Sequence, residues 1–387
     1  MKILTINLYV IYIIYAFLIT TVLIISTPVF AYENPTLKVL LFKTSSYINL
    51  KSYYGMTIKN PQHSSQGDFR ARFNYAGSGK ISIDNRWKVS NSIWISGDDS
   101  IMVIRKGKQD GRRYRGRLEL KPYNGGFYVI NHIPIEKYLE GVLNAEISTD
   151  WDLDVVQAQA IISRTFALFK REQRLKKAWH VTAGQNDQVY LGENISDHRS
   201  RVAIDNTKGV VVNYRGKLAQ TYYHSNCGGV TEDPANVWQF SLPYLKVKSV
   251  PYGQKDPRYF WDHSLTYKEL RRIASKAGIS AKKINTLYIE KRTKSHRVAS
   301  IIFSNGKQSF RVEAIQFRKL AGYSNIQSLL FDTIQTPQGY SFQGTGNGHG
   351  VGLCQWAAKE MADIGYRFDD ILKFFYTDTN IQIYNRL

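Results

Sequence analysis

Glu146 is the carboxylate whose setting best suits proton transfer. It follows an apolar, helix-like run (Tyr138, Leu139, Val142, Leu143) and precedes a turn, Ser148-Thr149-Asp150. Thr149 with Asp152 three residues on predicts a helix start, an oxygen for the orphan amides and a carboxylate near the positive helix end. Leu153, Val156, Ala160, Ser163 and Ala167 then recur at helical spacing, predicting a helix over residues 152–175. A carboxylate at the mouth of such a helix pair is partly desolvated, which raises its pKa and lets it act as a general acid near neutral pH. A single Glu beside a helix start also serves as a solvated or capping group, and spacing alone leaves both roles open.

Two further stretches carry groups with chemistry. A strand pair turning at Arg215-Gly216 delivers His224 to Ser225-Asn226-Cys227-Gly228-Gly229, where the glycines let backbone amides approach a ligand. The second is Gly344-Thr345-Gly346-Asn347-Gly348-His349-Gly350-Val351-Gly352. It has no Walker Lys-Ser/Thr and no dinucleotide-binding context, so it reads as a tight loop whose amides and His349 face a polar ligand. A helix from Gln355 to Ile364 follows, with Trp356 either stacking on a sugar face or anchoring that helix. Only two cysteines occur, Cys227 and Cys354. They can pair as a disulfide in an exported chain, remain free thiols, or join His224 and His349 as four zinc ligands. No cofactor is expected beyond that zinc alternative.

The elements that must position these groups are of mixed type. From Thr36 to Ile133 short β-prone runs (37–42, 93–95, 101–104, 127–130) alternate with turns. A helix over 267–276, a strand pair about Asn305-Gly306, a helix near 312–320 and a last helix from Asp369 to Tyr376 complete the pattern. The expected class is α+β: a strand-rich N-terminal region followed by a mixed core with several short helices. Residues 1–31 read as a signal peptide or an N-terminal membrane anchor, apolar over 3–25 and ending in Val29-Phe30-Ala31. Residues 32–130 form the strand-rich region and 131–387 the core, with 250–335 an intervening scaffold.

The 387 residues carry a formal charge of +21, which calls for an anionic partner: nucleic acid, an acidic membrane face or a cell-wall polymer. Export and the lack of zinc-finger spacing or a basic helix argue against nucleic acid. Membrane contact is expected only if the N-terminal segment stays uncleaved. The basic cluster Arg105, Lys106, Lys108, Arg112, Arg113, Arg115 and Arg117 is either a solvated face or a track for an acidic glycan.

Several of these stretches, taken in order, resemble the stage II sporulation protein D family. They are Ala145-Glu146-Ile147, then Gln157-Ala158-Gln159-Ala160, Arg164-Thr165-Phe166-Ala167-Leu168 and Asp187-Gln188-Val189-Tyr190. His224-Ser225-Asn226-Cys227-Gly228-Gly229 and Gly348-His349-Gly350-Val351-Gly352-Leu353-Cys354-Gln355-Trp356-Ala357 follow. The resemblance implies a peptidoglycan lytic transglycosylase that cuts between N-acetylmuramic acid and N-acetylglucosamine in glycan strands stripped of their stem peptides, with Glu146 as acid and base. It also implies Arg164 and Gln188 as positioning groups, and Tyr190, His224, Ser225, His349, Gln355 and Trp356 as substrate contacts. Arg164 would hold Glu146 or an acidic substrate group. The family brings the two cysteine motifs close together, which makes a Cys227–Cys354 disulfide the first choice for that pair. Other members enhance cell-wall amidases, so a non-catalytic wall binder with an amidase partner is the alternative; a cysteine hydrolase ranks below both. The chain departs from the family pattern at Ser148 (usually proline), at both cysteines (usually serine) and at Ala357 (usually glycine).

Overall fold

Alternation of buried and exposed side chains builds the first layer. Ile93 and Ile95, and Ile101 and Val103, turn inward from neighbouring strands while Trp94 and Met102 between them are half-buried on the other face. The computed structural model describes residues 32, 34–60, 63–279 and 284–384. Its largest sheet has eleven strands. These are β1 (Thr36–Thr44), β2 (Ile48–Asn60), β3 (His63–Tyr75), β4 (Ile81–Ile83), β5 (Trp87–Val89), β6 (Ile93–Gly97), β7 (Ile101–Arg105), β8 (Arg112–Tyr114), β9 (Arg117–Tyr123), β10 (Gly126–Pro134) and β11 (Val181–Thr182). They run in the order β11-β1-β10-β9-β6-β2-β3-β4-β5, with β7 joining β2 to β8. β1 pairs antiparallel with β10 and parallel with β11. The sheet therefore runs across residue 130, the expected edge of the strand-rich region, and recruits a strand from the following segment. Asn34–Ile383 forms one compact unit.

The second layer is helical. β10 leads through Pro134 into α1 (Ile135–Glu140) and α2 (Leu143–Glu146), and then α3 (Leu153–Gln173). Over Ala158–Leu168 every residue of α3 is buried, so it is a central helix rather than an amphipathic surface one. It packs against α1, α4 (His198–Asn206) and β12 (Val210–Tyr214). Its cap is Asp152, whose carboxylate accepts from the Asp154 amide at 2.9 Å. Thr149, expected to cap this helix, instead donates to Asp197 Oδ2 at 2.6 Å.

β12 pairs with β13 (Lys217–Leu218), and the chain then reaches β14 (Tyr223–His224) and α5 (Ala235–Trp238). Residues 260–345 form their own layer. β15 (Phe260–Thr266) leads into α6 (Tyr267–Lys276), capped reciprocally by Thr266 and Glu269. Next come β16 (Thr286–Arg292), β17 (Val298–Ser304), β18 (Ser309–Glu313), α7 (Ala314–Ala321), β19 (Phe331–Thr336) and β20 (Gly339–Thr345). Two three-stranded sheets and two helices share a core that includes Leu270, Phe303, Phe317 and Phe342. β21 (Leu353–Cys354) pairs in parallel with β14, matching His224 to Cys354. α8 (Gln355–Asp363), α9 (Phe368–Phe375) and β22 (Asn380–Ile383) close the chain, β22 pairing with β12.

The α+β class is thus observed. Among the described residues no helix is long and apolar enough to cross a membrane. The leader or anchor expected over 1–31 lies outside the described residues.

Candidate active site

Glu146 ends α2 and is half-buried. The Val189 amide donates to its Oε1 at 2.8 Å, and the Tyr223 hydroxyl provides a second bond. Burial raises its pKa above the ordinary carboxyl value, and the two donors only partly offset that. Both donors are uncharged, so the carboxyl can hold a proton that an ion pair would expel. Gln355 fixes the backbone beneath it. Its Nε2 donates to the Glu146 carbonyl at 2.9 Å and to Gln159 Oε1 at 3.2 Å. Gln159 in turn donates to Ser163 Oγ, one turn along α3, at 3.1 Å.

Tyr223 links the acid to Gln188. Gln188 Nε2 donates to the Tyr223 hydroxyl at 3.3 Å, and Gln188 Oε1 accepts from the Tyr138 hydroxyl at 3.1 Å. Gln188 is 1% exposed, which leaves it no surface for substrate; it orients Tyr223 instead. Consecutive strand residues point to opposite faces. Tyr223 therefore turns to Glu146, while His224 turns with its ladder partner Cys354 to the other side.

Three acids flank this arrangement, and each is engaged elsewhere. Asp187 accepts from the Thr182 amide and hydroxyl and lies near Lys170 and Arg174. Asp152 caps α3. Asp197 accepts from Asn144, Thr149 and Ser200; those bonds outweigh burial, which would raise it, and bring its pKa to about 2. None is offered to Glu146 as a second catalytic carboxylate.

Arg164 does not reach Glu146. It is fully buried, forks onto Glu136 at 2.9 and 2.7 Å, and donates to the Val210 and Ile204 carbonyls. Its position on a helix buried all round commits it to an internal ion pair. Tyr190 is likewise internal: its hydroxyl donates to Asn131 Oδ1 at 2.8 Å and its ring packs on Tyr138. Ser225 contributes its carbonyl to the Trp356 amide at 3.1 Å. Trp356 is half-buried, its ring 4.8 Å from that of Trp151. Tyr223, Gln159 and Trp151 were not singled out from sequence; Tyr223 was within reach, one residue before a marked histidine.

The glycine loop is a packing loop rather than a ligand cradle. Its amides are used internally: Gly346 donates to Tyr259, Asn347 to Asn226 and Gly348 to Gln327. Gly348 has φ +125°, and a Cβ there would lie 2.6 Å from the His224 side chain, so only glycine closes the loop on that ring. His349 Nδ1 accepts from the Val351 amide at 3.0 Å; burial, with Arg318 and Arg297 nearby, lowers its pKa to about 3. His224 is pushed well below the usual range, chiefly by burial, so both rings are neutral. Cys227 and Cys354, expected as a disulfide, come together as free buried thiols. The hydrogen bond with Cys354 pulls the Cys227 thiol down, and burial pushes the Cys354 thiol up.

The basic cluster before β9 is partly paired. Arg115 bonds Glu193, and Arg113 lies over the Tyr53 ring. Arg113, Arg115, Lys137 and Arg201 line a cleft of about 780 Å³ whose wall does not include Glu146.

A family model described as stage II sporulation protein matches residues 123–214, which hold Glu146, α3 and Val189. A second, described as a domain of unknown function, matches 237–352. An uncharacterized protein of Brachyspira hyodysenteriae is 30% identical over 346 residues, spanning 88% of this chain and 92% of that protein. Stage II sporulation protein D of Bacillus amyloliquefaciens is 26% identical, over 67% of this chain and 77% of its own. An amidase enhancer of Bacillus subtilis is 27% identical over 79% of this chain and 49% of its own length.

Proposed function

The chain belongs to the stage II sporulation protein D family, and on that premise we propose that it is a peptidoglycan lytic transglycosylase with Glu146 as its acid and base. The observation that carries this reading is the setting of Glu146: half-buried, raised in pKa by that burial, and held by uncharged donors. An ordinary glycosidase needs two carboxylates. A lytic transglycosylase needs one. Protonated Glu146 gives its proton to the glycosidic oxygen as the bond from C1 of N-acetylmuramic acid breaks. The resulting carboxylate takes the proton of that sugar's C6 hydroxyl as O6 closes on C1, giving a 1,6-anhydro end and consuming no water. The engagement of Asp187, Asp152 and Asp197 elsewhere suits a lone acid. Tyr223 and Val189 steady the carboxylate, Gln355 fixes its backbone, and Trp356 with Trp151 offers aromatic surface to the sugar.

The test is digestion of purified glycan strands in ¹⁸O-water with mass analysis of the new ends. Anhydro ends free of the label are expected; labelled reducing ends would replace the proposal with hydrolysis. A second reading, a wall binder that enhances an amidase, is favoured by the similarity to the amidase enhancer. It predicts no new glycan ends and a faster partner amidase.

A further inference from the structure

Opposite Glu146, across the β14–β21 ladder, His224 Nε2, Cys227 Sγ and Cys354 Sγ all lie within 4.8 Å of one another, and all three residues are buried. We propose that these three atoms form a zinc site, with the fourth tetrahedral position left to a water molecule. The site is independent of the role given to Glu146.

The histidine carries the first argument. His224 Nδ1 lies 3.1 Å from the Val351 carbonyl, which can only accept, so Nδ1 bears the ring proton. Nε2 is therefore a bare lone pair. His224 is 5% exposed, and Nε2 has no hydrogen-bond partner. A buried acceptor without a partner is costly. Its other nitrogen donating to a backbone carbonyl is how ligating imidazoles are normally held.

The sulfurs carry the second. The Cys227 amide donates to Cys354 Sγ at 3.1 Å, and the Ala357 amide bonds the same sulfur. The Gly229 amide bonds Cys227 Sγ, through a turn that Gly228 and Gly229 make with φ of +68° and +95°. Amides aimed at both sulfurs are outer-shell groups of the kind that orient ligating side chains. Two thiolates and one neutral imidazole suit zinc above harder cations. Binding releases the two thiol protons and gives a neutral centre beside the buried Arg297, whose Nη2 donates to the Cys227 carbonyl at 2.6 Å. A disulfide would satisfy neither the lone pair of Nε2 nor the three amides. His349 lies outside the cluster, its Nδ1 accepting from the Val351 amide and its ring also bonding the Tyr223 backbone; the four-ligand set drawn from sequence reduces to three.

The full chain, purified without chelator and dialysed against zinc and then metal-free buffer, is expected to hold about one zinc by elemental analysis. Cys227→Ser and Cys354→Ser should bring it to background, while Glu146→Gln keeps it. Cobalt substitution should give a near-ultraviolet sulfur-to-metal band. If the cysteine variants do not fold, thiol titration of the wild type decides: chelation should free two reactive thiols. Metal-free wild type with both cysteines blocked against alkylation after unfolding would establish the disulfide and overturn the proposal. So would full zinc content in both cysteine variants.

Discussion

Replacing Arg164 with methionine separates a structural role from substrate binding. The guanidinium is fully buried, makes a two-pronged contact with Glu136 and satisfies the Val210 and Ile204 carbonyls. Removing one partner of a buried ion pair costs about 3–5 kcal/mol. Denaturant unfolding followed by tryptophan fluorescence should show that loss as an earlier midpoint. Adding Glu136→Leu removes the other charge of the pair and should recover most of the loss, leaving about 1–3 kcal/mol for the backbone groups that lose partners. A variant with the wild-type midpoint that fails to bind glycan would refute this reasoning and return Arg164 to the substrate.

Three other outcomes follow from the same geometry. Tyr223→Phe removes a bond that lowers the Glu146 pKa, so the alkaline limb of kcat/KM against pH should move upward; no movement would show that the hydroxyl does not act on the acid. Gln355→Leu leaves the Glu146 carbonyl and Gln159 Oε1 without their donor, and should cost about 1–3 kcal/mol of stability and lower kcat more than it changes KM. Glu146→Gln bears on stability through pH. A carboxyl whose folded pKa is raised contributes stability that is complete below its unfolded value and lost as pH rises through the folded one. Glutamine mimics the protonated form. The variant should therefore match wild type below the ordinary value of 4.5 and exceed it at neutrality, as thermal melts at the two pH values would show.

Local pattern made the helices legible. α3 falls within the expected 152–175, and α6 matches 267–276, because periodicity and capping chemistry act within a turn or two. The partly buried setting of Glu146 was legible from its apolar flank. What was not legible depends on distant partners. Thr149 turned from capping to Asp197, nearly fifty positions away, and a cap closer to the first turn won. Arg164 lies on a helix buried on every side, which has no solvent face to mark, and Tyr190 lies in a loop whose partner, Asn131, is fifty-nine positions away. The glycine loop invited a ligand reading because glycine permits close approach of any group; here the groups are His224 and the loop's own carbonyl partners.

The most direct measurement is the rate at which Glu146→Gln releases anhydro-terminated fragments from purified glycan strands at the wild-type optimum. General acid–base catalysis is worth roughly 10²–10⁴-fold, and a loss of that size with a folded, glycan-binding variant is the expected result. Release at the wild-type rate would contradict the assignment of Glu146 as the group that moves the proton.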